Sequence, residues 1–155
     1  MKESKFSLAH KDEAMGELVR KTDHKTLAVW AIDCAERVLP YFEEQHPEDH
    51  RPRQALETLR TWLRTGEFTM AVIRKASLDS HAAARDVGTD NAARSAARAC
   101  GQAVATAHVP RHSYGSAMYA QQAVFRAAGS MDVVKDERNW QYRRLFELGK
   151  NLKHA

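Results

Sequence analysis

Two carboxylates three residues apart, Asp33 and Glu36, lie on a segment that is otherwise apolar almost all the way round, LAVWAIDCAERVLPYF. On a helix that spacing puts both acids on one side. Burial can split the pKa values of paired carboxylates and suit them to acid–base work. The same acids can instead accept hydrogen bonds from Arg51 and Arg53, which follow one short acidic turn later. Charge on a nearly buried helix is costly unless it is paired. The segment therefore reads as a polar lock or a working site. As a lock, Asp33 or Glu36 pairs with Arg51 or Arg53, and cutting Arg53 back to alanine strands a buried acid at roughly 3–5 kcal/mol.

Eight histidines raise a metal reading. His108 and His112 have the i, i+4 spacing of a ligand pair, but Pro110 stands between them and breaks any shared helix. His46 and His50, with Glu43, Glu44 and Asp49, read as a solvated acidic turn. His81 and Arg85 share a helix face and can join the Asp33–Glu36 cluster if their helix folds back on the one opened by Arg51. No cluster has closed four-ligand spacing, so no metal is predicted. No phosphate loop or nucleophile elbow occurs, so no cofactor and no catalytic residue is assigned.

These residues need helices to hold them, and the chain has little else. Strand alternation is almost absent, alanine is abundant, and prolines and glycines punctuate at intervals. The pattern predicts an all-α, compact bundle of about six to seven helices. A short first helix over about Lys11–Lys21 belongs to an N-terminal extension, residues 1–22, that packs on a domain over 23–152. The second helix starts near Asp23, a good cap residue, and runs past Pro40 through the nearly all-apolar stretch, which makes it central. Pro52 suits the first turn of the third helix and Gly66 its end. A fourth helix spans Thr69–Asp86, and Asp90 can cap the fifth. The fifth is small on almost every face, so neighbours can approach closely. Ser113 can open the sixth helix, and Val134, Trp140, Leu145 and Leu148 line the seventh. Trp30, Trp62 and Trp140 each sit on a core stripe.

At 155 residues, 43% hydrophobic and 28% charged, the chain suits one soluble domain. A net charge of +4 spread over several helices disfavours nucleic acid, which prefers a dense basic stripe. Cys34 and Cys100 read as reduced core thiols. No run approaches the ~20 apolar residues of a membrane span. The first residues lack a signal-peptide core, which places the protein in the cytoplasm.

Several stretches in order, HKTLAVWAIDCAERVLPYFEE, RPRQALETLRTW, SHAAAR and ACGQAVATAHVPRHSYGSAMYAQQA, resemble the immunity-five-like family, small helical domains associated with bacterial polymorphic-toxin systems. The resemblance runs from about His24 to Ala127. It implies a cytoplasmic, all-α, non-enzymatic protein that binds a cognate toxin and blocks it sterically. The family's polar signature falls on Asp33, Cys34, Glu36, Arg51, Pro52, Arg53, Glu57, His81, Arg85, His108 and His112; all of these but Cys34 and Pro52 are the partner-binding or polar-cluster candidates. Two other readings compete. One is a small helical enzyme or ligand-binding domain with a pocket of Asp33, Glu36, Arg53, His81 and His108. The other is a weak nucleic-acid binder using Arg85, Arg94, Arg98 and Arg111.

Overall fold

A computed structural model of the chain describes residues 6–8 and 12–152, with the backbone alone at 151 and 152. Among these residues there are seven α-helices and no strand: α1 (Glu13–Lys21), α2 (His24–Gln45), α3 (Arg51–Thr65), α4 (Met70–Asp86), α5 (Ala92–Ala105), α6 (His112–Ala128) and α7 (Met131–Leu152). The expected start of the first helix at Lys11 and the end of the chain beyond Leu152 lie outside the described residues.

Two helices form the centre. Helix α2 packs on α3, α5, α6 and α7, and α5 packs on α2, α3, α4 and α6. The all-round apolar surface of α2 has a direct consequence: Leu27, Trp30, Ile32, Val38, Leu39 and Phe42 are all buried. Helix α5 reaches the middle by being thin. Ala93, Ala96, Ala97, Ala99, Cys100, Gly101 and Ala103 are buried. Neighbouring backbones come close enough for serine hydroxyls to donate to its carbonyls: Ser80 to Ala97 at 2.7 Å, Ser77 to Gly101 at 2.9 Å and Ser116 to Ala99 at 2.9 Å. Those bonds give buried hydroxyls the partners they need.

The punctuation follows local chemistry, with three refinements. Gly66 and Gly129 end α3 and α6 in the left-handed region, φ 72° and 70°. Asn91 rather than Asp90 caps α5, its side chain accepting from the Arg94 amide at 3.0 Å, because Asp90 is drawn off to the Arg94 guanidinium at 2.6 Å. The Asp23 side chain takes the Thr26 hydroxyl instead of a backbone amide. Helix α6 opens at His112, one residue before Ser113, whose hydroxyl is buried. Pro40 sits on the exposed side of α2, which continues through it to Gln45.

Helix α7 closes the bundle through buried polar pairs. The Gln121 amide donates to the Gln141 side-chain oxygen at 2.8 Å, Gln141 donates to the Ala117 carbonyl at 3.0 Å, and the Trp30 indole donates to the Gln141 carbonyl at 2.9 Å. Among the described residues no helix is long and apolar enough to cross a membrane.

Candidate partner-binding face and polar clusters

The charges of α2 divide between two seams. Along α2–α3, Glu36 accepts from Arg53 at 2.7 Å and from Arg60 at 2.6 Å. Arg53 also grips Glu43 at 2.8 Å, and Arg60 reaches Glu57 at 2.6 Å. The expected Glu36–Arg53 pair is therefore present within a larger network. Along α2–α7, Arg144 donates to Asp33 at 2.8 Å, and Arg37 holds Glu137 in two-point contact at 2.8 and 2.9 Å while lying 3.9 Å over the Trp140 ring. Asp33 thus pairs with neither Arg51 nor Arg53. Its side of α2 faces α7, and Arg51 turns instead to Asp49 at 2.7 Å and Asp86 at 2.8 Å.

This geometry lowers the expected worth of the α2–α3 lock. The Arg53 and Glu36 side chains are 35% and 30% exposed, and Glu36 keeps Arg60 when Arg53 is lost. Solvent screens such pairs. Arg53→Ala should lower stability by about 1 kcal/mol rather than by the cost of a stranded buried charge. Arg53→Lys should recover part of it, because lysine lacks the planar fork. Thermal melts of the two variants check this, and equal melting of Arg53→Ala and the parent would remove the network from the forces holding α2 to α3.

His81 does not join this network, because α4 turns it toward α5. Its Nδ1 lies 2.9 Å from Arg98 Nη1. Arginine can only donate, so this nitrogen accepts and the proton sits on Nε2. The ring rests directly on α5 at Gly101, where an added Cβ would lie 2.7 Å from Nε2. Burial, then Arg98, Arg85 and His112, push the His81 imidazole down to about 4. Every charged neighbour acting on it is a base. Next to it, His112 Nδ1 bonds to the Gln102 side-chain oxygen at 2.9 Å, and Gln102 packs on Gly115. Burial, then His108 and Arg111, lower the His112 pKa too. His108 lies in the α5–α6 connection, its ring 6.0 Å from that of Phe68.

The His81 shift has a sign that can be checked. In the unfolded chain the ring takes a proton near pH 6.5, and in the fold near 4. Between these values the unfolded chain holds more protons, so stability is full above about 6.5 and falls as pH drops toward 4. The half-buried ring keeps some solvent, which reduces the loss to roughly 1–2 kcal/mol. His81→Gln should therefore lose less melting temperature on acidification from pH 7 to about 4.5 than the parent does. Parallel curves would place the ring in ordinary solvent.

The five residues Asp33, Glu36, Arg53, His81 and His108 are dispersed over the α2–α7 seam, the α2–α3 seam, the α4–α5 contact and a loop, and do not converge on one pocket. Among the described residues no three His, Cys, Asp or Glu side chains converge as a metal site. His46 lies tilted against Phe42, ring centres 5.0 Å apart, and Asp49 is held by Arg51. Cys34 and Cys100 are buried thiols, both pushed up by desolvation first. A cleft of about 840 Å³ lies between α1 and the α5–α6 edge, lined in part by Asp12, Gly16, Gln102, His112 and Tyr119.

Residues 17–148 match the family described as "Imm-5 like putative immunity protein". The chain belongs to the Imm-5 like family. Neither the curated proteins nor the solved structures gave a match. The Imm-5 like match spans α2 to α6 entire, so it includes both α2 seams and the His81 cluster. It also takes in a signal that motif reading passes over. Between Asp90 and Asp132 there is no aspartate, glutamate or lysine, while Arg94, Arg98, Arg111 and Arg126 are all present.

Proposed function

We propose that this Imm-5 like protein is a non-enzymatic, cytoplasmic immunity protein that binds a cognate protein toxin and neutralises it by covering its active cleft. The observation that carries the reading is the outer surface around α4. Phe68, Met70, Val72 and Leu78 are 44–55% exposed within a single stretch of chain. Helix α4 packs on α3 and α5 along its inner side, where Ile73, Ser80, Ala83 and Ala84 are buried. Leu78 stands on the outward side of α4, away from the buried stripe, and Phe68 lies beside His108 at the start of the helix; exposed apolar side chains of this size favour a partner over solvent. Arg85, His81, His108 and His112 lie on or beside this surface and serve in the partner surface. Asp33, Glu36, Arg51, Arg53 and Glu57 hold helices in register. Their carboxylates are engaged by arginines, which argues against acid–base work. Coexpression with the toxin domain encoded beside this chain tests the reading. Cells should survive the toxin only when the chain is present, and the two should copurify. Death regardless of the chain would end it.

A further inference from the structure

The α4–α5–α6 face carries a second property besides its apolar edge, its charge. Leu78, His81 and Arg85 follow one another along α4 at helical spacing, and Arg98 and Gln102 do so along the outer stripe of α5. Neither α5, α6 nor their connection supplies a single carboxylate. The cations at the centre are arginines, whose forks suit carboxylates. One of them is held in place. Arg98 is fixed by His81, and His81 is seated on Gly101, a glycine inside a helix. The glycine lets α4 approach α5 closely enough for Ser77 to donate to its carbonyl and for the His81 ring to be seated on it, and that seat holds Arg98 in place. A preorganised arginine loses less freedom when it binds.

We infer that this face is the docking surface and that its occupant is an acidic protein surface: the toxin presents aspartate and glutamate side chains to Arg85 and Arg98, with Leu78 and Phe68 closing the apolar margin. The inference rests on the toxin-binding reading above and names the chemistry of the toxin's bound face. Charge complementarity selects the acidic partner. The apolar margin selects protein over nucleic acid, since arginine, phenylalanine and methionine are enriched in protein interfaces while lysine is depleted. The arginine row is also broken for a phosphate backbone. Arg94 is used on Asp90 and on the Ala84 carbonyl, and Arg126 on Ser95.

The test is a calorimetric titration of the full chain with the catalytically inactivated toxin domain encoded beside it, at about 150 mM salt. Arg98→Glu and Arg85→Glu should each weaken binding by about 30-fold or more. Lys135→Glu, on the exposed side of α7, should leave it unchanged. Arg85 is exposed, so its reversal keeps the test valid if Arg98→Glu unfolds; thermal melts report that directly. Binding by the parent with no loss in Arg85→Glu overturns this face and leaves the toxin reading standing. Absence of binding by the parent overturns both. Retention of a labelled single-stranded oligonucleotide at the same salt, lost in Arg85→Glu, overturns the acidic protein in favour of nucleic acid.

Discussion

Arg37→Ala should cost the fold about 2–3 kcal/mol, more than any other single charge removal on α2. The reason is an asymmetry of burial. The Glu137 side chain is 7% exposed and that of Arg37 is 40% exposed. Removing the arginine leaves a carboxylate shut away from water with its two-point partner gone, and it also strips the guanidinium from the Trp140 face. Breaking a fully buried pair from one side costs about 3–5 kcal/mol, and the partial exposure of Arg37 lowers that figure. Removing the acid instead leaves an arginine that can turn to solvent, so Glu137→Leu should cost under about 1 kcal/mol. The double variant Arg37→Met with Glu137→Leu should recover most of what Arg37→Ala loses, because a well-packed apolar pair replaces a desolvated ionic one. Denaturant melts of the three variants decide it. Equal losses for Arg37→Ala and Glu137→Leu would show that Glu137 reaches water.

Trp30→Ala should be more damaging still, at about 3–5 kcal/mol. Trp30 is fully buried at the centre of α2, and its indole N–H donates to the Gln141 carbonyl on α7. Truncation leaves a cavity and removes the indole's bond to the Gln141 carbonyl, next to the Gln121–Gln141 pair. Against a total of ~5–15 kcal/mol, that loss should lower the melting temperature by roughly 10–15 °C. Trp30→Phe separates the two contributions. It keeps most of the ring but drops the donor, so it should cost about 1–3 kcal/mol. A Trp30→Ala variant melting within about 2 °C of the parent would contradict the central place of α2.

These two predictions sit at different depths of legibility. The burial of Trp30 is written in the chain, because apolar residues on every side of α2 leave no direction for solvent. The Arg37–Glu137 contact is not. The two residues are 100 positions apart, and nothing in the spacing of Arg37 says which helix will cover it. The Glu36–Arg53 pair was readable because the residues are 17 apart across one turn. The same short turn offers Asp33 those arginines too, yet it faces α7 and takes Arg144 at a separation of 111. Sixty degrees of rotation between positions 33 and 36, about what three residues of helix leave, is enough to send the two acids to different neighbours.

By itself the sequence determined the helices, their glycine and proline boundaries, the burial of α2, the thinness of α5 and the family. All of these follow from local propensity and periodicity, which need only the residues of one segment. The tertiary structure decided the partners of Asp33 and Arg37, the seating of His81 on Gly101, the meeting of Arg98 with His81, and the placing of Phe68 against His108. Those depend on how far each helix is turned about its axis and on which helix lies beside it. The packing of the whole core sets both, and no single segment contains that information.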